Sequence, residues 1–114
     1  MRRSVTVLVL AVAAACRSVP FRVEAEHGRP TSRLRLVAAP GARINARLKP
    51  ALELMDGTVL RFDSPHRTAD SAYFADAPTT ERALPEEAHR GVVRASVCPS
   101  DEKICRSYEL AVRW

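Results

Sequence analysis

Short runs in which apolar and polar residues alternate recur along most of this chain. The clearest run closes it, where every second residue is apolar: Tyr108, Leu110, Val112 and Trp114. A period of two is that of a strand with one buried and one solvated face, and Trp114 is expected to cap the core. A similar run ends at Cys98, and the polar segment PSDEKI separates it from Cys105. The pattern predicts a β-hairpin over residues 91–114 with a cysteine at each end of its loop.

The two cysteines of this hairpin are candidates for a disulfide. Paired antiparallel strands would bring Cys98 and Cys105 opposite each other, at a separation that a disulfide bridges when the local geometry suits. On the chain-entropy model, a closed loop of about eight residues contributes roughly 2–3 kcal/mol by restricting the unfolded chain.

Further strands are predicted from the same alternation. Segments 21–26 and 33–36 alternate, and Pro40-Gly41 predicts a turn after the second. Residues 42–50 are expected to form an arginine-rich connection. Apolar segments on either side of Met55-Asp56-Gly57-Thr58 predict a hairpin with a type I′ turn, since Asp-Gly is the strongest short signal for that turn.

The rest of the chain is expected to be irregular. Residues 63–72 are polar, and Tyr73 and Phe74 form an apolar island in an irregular section that runs to Arg82. Residues 84–89 fit either a helical turn or a crossing loop. With many short strands, frequent prolines and no long amphipathic helix, the sequence predicts an all-β antiparallel β-sandwich over residues 21–114.

The first fifteen residues have the composition of a secretory signal peptide. Arg2 and Arg3 precede an apolar run that ends in three alanines, and the run is too short for a comfortable permanent span. Cleavage before Cys16 would remove two arginines and no acid, lowering the formal net charge from +5 to +3. The modest charge, the few aromatics and the predicted export argue against nucleic acid as a partner.

Cys16 directly follows the small residues, and the site resembles a bacterial lipobox. This implies diacylation of Cys16, with residues 16–20 as a tether and the membrane as a partner on the periplasmic side. The pattern departs from the lipobox at Ala13, where leucine is usual. The alternative is ordinary cleavage after Ala15, which would leave a free thiol at the new N-terminus.

Four features of the last third of the chain resemble the N-terminal periplasmic domain of the thiol:disulfide interchange protein family DsbD: Leu84-Pro85, Gly91, Val97-Cys98 and Cys105. The resemblance implies an immunoglobulin-like sandwich in which Cys98 and Cys105 exchange a disulfide with a thioredoxin-like partner. It also implies a loop with shielding aromatics, a place that Tyr73 and Phe74 could occupy. The C-x6-C spacing and the Arg-Ser after Cys105 depart from the family pattern.

Two functions from different classes therefore stay open. The first is a structural or binding lipoprotein of the bacterial envelope, stapled by Cys98–Cys105 and not an enzyme, as is common for small exported domains. The second is a thiol:disulfide exchange module that uses the same two cysteines as a redox pair. His27, His66 and His89 have no metal-ligand spacing, and no cofactor or catalytic constellation is predicted.

Overall fold

The computed structural model describes residues 7–9, 19–28, 31–82 and 90–114 of the chain. Within these residues the protein is all-β, with two antiparallel sheets and no helix. The strands are β1 (Val7–Val9), β2 (Phe21–Glu26), β3 (Ser32–Ala38), β4 (Ala42–Ile44), β5 (Ala51–Leu54), β6 (Val59–Arg61), β7 (Thr79–Arg82), β8 (Arg90–Pro99) and β9 (Arg106–Arg113).

The first sheet has the strand order β1-β2-β3-β7. Strands β2 and β3 pair from Phe21 opposite Ala38 to Glu26 opposite Arg33, as the two alternating runs predicted. Strand β1 lies inside the predicted signal peptide and pairs with residues 24–26 of β2. Removal of residues 1–15 would therefore leave β2 as an edge strand of this sheet.

The second sheet is organised around the long strand β8. Along one side β8 pairs with β9, and along the other it pairs first with β5 and then with β4; β6 pairs with the far side of β5. Gly91 lies where β5 approaches most closely, since a Cβ there would come within 2.6 Å of the Glu53 carbonyl oxygen. The predicted hairpin over residues 91–114 is confirmed, with Val97 opposite Arg106 at its loop end.

One hydrophobic core joins the inner faces of both sheets. Its fully buried members include Leu34 and Leu36 from the first sheet, and Leu52 and Val93 from the second. Trp114 also belongs to it, which confirms the predicted cap. Alternate residues of each strand reach this core because successive side chains of a strand point to opposite faces.

The hairpin between β5 and β6 is confirmed in place, but its turn is not of type I′. Gly57 has a φ of 92°, whereas Asp56 is not among the non-glycine residues with positive φ. The Gly57 N–H donates to the Leu54 carbonyl at 2.9 Å, and the Leu54 N–H donates to the Thr58 carbonyl at 2.8 Å. These bonds fit a three-residue loop that ends in a left-handed glycine. The Asp56 carboxylate accepts from the Thr58 N–H instead of adopting positive φ.

Two segments predicted as irregular are strands. Residues 42–44 form β4 because their backbone pairs with residues 97–99 of β8. Residues 79–82 form β7 because they complete the edge of the first sheet beside β3. Both strands are short, with little alternation of their own, so the neighbouring strand determines their structure.

Candidate functional site

Cys98 and Cys105 form a disulfide at the loop end of the β8–β9 hairpin. Their Cα atoms are 4.1 Å apart, and they continue the ladder by one step beyond the pair Val97 and Arg106. This separation is close to the roughly 4.5 Å of a non-hydrogen-bonded antiparallel pair. The predicted pairing of these two cysteines is therefore confirmed.

The two sulfur-bearing residues differ in exposure. Val97 points into the core, so Cys98 lies on the outer face of β8, yet it is 0% exposed. Cys105 is partly exposed. Other parts of the protein therefore cover the outer face of the sheet at Cys98. An incoming thiol would reach the sulfur of Cys105 first, because Cys105 is partly exposed.

Arg43 of β4 lies directly opposite Cys98 in the antiparallel register, and so on the same face of the sheet. Its Nη2 donates to the carbonyl oxygens of Pro99 at 3.3 Å and Glu102 at 3.2 Å. The guanidinium group thus holds the loop that the disulfide closes. The Tyr73 ring stacks on the same guanidinium group, and its centroid lies 3.9 Å from Arg43 Cζ.

This arrangement holds a permanent positive charge near Cys98. Arg43 Nε is buried and has no hydrogen-bond partner, so part of the guanidinium lacks the solvation it would have in water. A nearby cation favours the thiolate over the thiol.

The two predicted shielding aromatics occupy different places. Tyr73 lies over Arg43 and so belongs to the cover on the outer face near Cys98. Phe74 is 8% exposed and packs in the hydrophobic core. The backbone of this segment is held to β4, since the Phe74 N–H donates to the Ile44 carbonyl at 3.1 Å.

A serine, an aspartate and a histidine meet in the connection between β6 and β7. The Ser64 hydroxyl donates to Asp76 Oδ1, and His66 Nδ1 lies 2.6 Å from Asp76 Oδ2. The Ser64 bond and then the His66 bond hold the pKa of Asp76 below its ordinary range. The carboxylate lies between the other two side chains, so His66 does not take the Ser64 proton. This cluster fastens a loop and lacks the geometry of a catalytic triad.

Several predicted residues lie outside the part of the chain that the structure describes: Cys16, Leu84, Pro85, Glu86, Glu87 and His89. Within the described part, no three His, Cys, Asp or Glu side chains are grouped to hold a metal ion. Among those same residues, no helix is long and apolar enough to cross a membrane.

The main residue that sequence reasoning missed is Arg43. It stands among many arginines and 55 positions before Cys98 in the sequence. The only available signal was local: Arg43 follows the Pro40-Gly41 turn and precedes the buried Ile44. Nothing in that pattern indicates which strand lies beside β4.

Comparisons with protein-family models, with curated proteins and with solved structures give no significant match to this chain.

Proposed function

We propose that this chain is an exported, lipid-anchored domain of the bacterial envelope, an immunoglobulin-like β-sandwich with a binding or structural role. In this proposal Cys98–Cys105 is a structural staple. The segment 1–16 supports export and anchoring through its basic start, apolar run and lipobox-like cysteine. Two antiparallel sheets with one shared core support the sandwich.

The observation that supports a structural role for the disulfide is the complete burial of Cys98. The loop that follows is fastened as well, because the Ser100 N–H donates to the Gly41 carbonyl at 2.8 Å and Arg43 holds two further carbonyls. A disulfide with one inaccessible sulfur and a fixed loop suits a permanent cross-link in a small domain.

A redox titration of the purified protein tests this proposal. Equilibration against dithiothreitol buffers should give a potential below about −300 mV, the range of structural disulfides in exported proteins. A potential near those of thioredoxin-like proteins would contradict the staple.

The lipid anchor has a separate test. Cys16→Ser should move the protein from the membrane fraction to the soluble fraction of cells that process lipoproteins, because the acyl chains would be lost. An unchanged membrane fraction would contradict acylation at this residue.

One observation favours a second candidate function, thiol:disulfide exchange: the partly buried Arg43, which lies opposite Cys98 in the register of β4 and β8. A partner thiolate would attack Cys105, the S–S bond would break, and its electron pair would remain on Cys98 as a thiolate facing Arg43. A second partner thiol would lose its proton to solvent and attack the mixed disulfide, releasing Cys105. The domain would then be reduced and the partner oxidised.

Single-cysteine variants distinguish this candidate from the staple. Cys98→Ser leaves the accessible Cys105, which should form a mixed disulfide with a thioredoxin that lacks its own resolving cysteine, in the presence of diamide. Cys105→Ser leaves the buried Cys98 and is the matched control, and both variants also carry Cys16→Ser so that no third thiol is present. Equal trapping by both variants, or by neither, would remove the support for exchange.

A further inference from the structure

Four cationic side chains surround one shallow groove on the outside of the molecule. The groove is lined by Ala46, Arg47, Lys49, Arg61 and Arg67, and each of its four cations is exposed. They come from three places in the fold: the segment between β4 and β5, the end of the edge strand β6, and the connection after β6. We call this set the cationic groove.

The positive charge of the cationic groove is only partly neutralised by its neighbours. Asp63 is the carboxylate that pairs there, with Lys49 at 2.9 Å and with Arg67 at 3.1 Å. Arg47 donates to the backbone carbonyl of Asp70 at 3.3 Å. The Asp70 carboxylate partly offsets the charge of Arg47, since the pKa of Asp70 is lowered first by the Thr68 hydroxyl and also by Arg47. Among the residues that the structure describes, Arg47 and Arg61 form no ion pair with a carboxylate.

Some exposed arginines outside the cationic groove are paired with carboxylates. Arg33 lies 2.8 Å from Glu81, and Arg35 lies 3.8 Å from Glu24. Arg94 lies on the outer face of the second sheet and donates hydrogen bonds to the carboxylates of Glu53 and Glu109. These two bonds raise the pKa of Arg94 above its ordinary value. Other exposed cations without an ion pair, such as Arg82, Arg90 and Arg113, lie elsewhere in the described part of the chain. The cationic groove differs from them because four cationic side chains line one concavity, which suits it to an anion.

An exposed apolar side chain adjoins the cationic groove. Leu48 is 57% exposed, and it lines a second concavity together with Lys49 and Arg61, which belong to both. Tyr108 of β9 also lines this second concavity. A surface of cations beside exposed leucine is complementary to a phosphate group joined to acyl chains, and a free phosphate ion would leave Leu48 unused.

We propose that the cationic groove binds the phosphate group of an anionic phospholipid, with Leu48 inserted at the membrane interface. This names a ligand for the binding role proposed above, and it rests on that proposal for the placement of the domain at a membrane. Arg47 and Arg61 would supply the unpaired charge, and their planar guanidinium groups match phosphate oxygens in pairs.

Vesicle binding by the full chain carrying Cys16→Ser tests this proposal without any contribution from acyl chains. The protein should sediment with phosphatidylglycerol vesicles at about 0.1 M salt, and not with phosphatidylcholine vesicles. Arg47→Gln with Arg61→Gln should weaken that binding by about thirtyfold, since each basic residue near an anionic surface contributes about fivefold.

The matched control is Arg33→Gln with Arg35→Gln, which removes the same charge from the opposite sheet. It should weaken vesicle binding by no more than about threefold, because salt screens the attraction between the vesicle surface and charges more than about 10 Å from it. Equal losses in the two double variants would overturn the proposal, since binding would then follow net charge alone.

A second measurement separates the lipid from a soluble phosphate ester. Leu48→Ser should weaken vesicle binding while leaving any binding of free glycerol phosphate unchanged. Glycerol phosphate binding without vesicle binding would overturn the lipid assignment. These results are independent of the membrane fractionation of the protein with Cys16 intact, so failure of the groove and failure of the anchor are distinguishable.

Discussion

Two irregular regions of this molecule are held in place by different means. The loop over residues 100–105 is closed by a disulfide and fastened to a partly buried arginine. The connection over residues 62–78 is much longer, and its polar fastening lies mostly at the surface, with Lys49–Asp63, Arg67–Asp63 and His66–Asp76 contacts. The short loop therefore has a covalent cross-link in addition to its hydrogen bonds, whereas the long connection has non-covalent contacts.

The connection over residues 62–78 is ordered without a cross-link because hydrophobic side chains along it are buried. Phe74 buries its ring in the core, while Phe62 and Pro78 are buried at the two ends. Individual surface ion pairs contribute little, typically 0–1 kcal/mol. The buried side chains therefore supply most of the stability of the connection, and the charged contacts select its conformation.

The largest expected effect comes from the buried anchor of the long connection. Phe74→Ala should lower the free energy of unfolding by about 3–5 kcal/mol, because it removes a buried ring and leaves a cavity. Urea denaturation measures this. Met55→Ala, at a side chain 70% exposed, is the control and should change stability by less than about 0.5 kcal/mol. A small effect of Phe74→Ala would mean that the polar contacts hold the connection.

Loss of the disulfide should have the next largest effect. Cys98→Ala with Cys105→Ala should lower the free energy of unfolding by about 2–3 kcal/mol through the loop entropy of the unfolded chain. Reduction of the wild type with dithiothreitol should give a similar loss in thermal melting. If neither change lowers stability, the bond is not a staple.

Arg43 should contribute to the stability of the loop that the disulfide closes, and it also contacts Tyr73 of the long connection. Arg43→Met removes the bonds to the Pro99 and Glu102 carbonyls and should cost about 1.5–3 kcal/mol, a value typical of charged hydrogen bonds. Arg61→Met, at an exposed cation without a carboxylate partner among the described residues, should cost less than about 0.5 kcal/mol. A double-mutant cycle with the cysteine pair should show coupling, whereas purely additive losses would separate Arg43 from the disulfide.

The smallest expected effect is on the stability of the protein at acidic pH. The pKa of Asp76 in the folded protein is lowered, first by the Ser64 hydroxyl and then by His66. Such a group stabilises the fold above its ordinary pKa, and that contribution is lost as the pH falls from about 4 through the lowered value. Asp76→Asn should therefore be less stable than wild type at pH 6, and this difference should shrink below pH 4. A difference independent of pH would contradict the role of the carboxylate.

Individual elements differ in how far the sequence predicted them. The strands over residues 21–26 and 32–38 and the hairpin at the end of the chain were predicted because each alternates over several residues. Strands β4 and β7 were missed because each is short and has no apolar run of its own. The equally short β5 and β6 were predicted because apolar residues lie on both sides of the Asp56-Gly57 turn. The β5–β6 turn was placed correctly and given the wrong type, since Asp56 satisfies the Thr58 N–H without positive φ.

Of the candidate site, only the disulfide was predicted, because its two cysteines are close together in the sequence. Cys98 and Cys105 are separated by seven residues and share one hairpin, so their pairing follows from the strands that carry them. The burial of Cys98 on the outer face could not be predicted, because its cover comes from Arg43 and Tyr73, which belong to distant parts of the chain.

The sequence by itself determined the all-β class, most strand positions, the face that each strand buries and the disulfide. All of these follow from the two-residue period of consecutive side chains and from one short loop. Only the tertiary structure decided that β8 lies beside β4, which places Arg43 next to Cys98, and that four cations from three segments line one groove. The order of strands in a sheet depends on how the two sheets share their core, and no single segment of the chain carries that information.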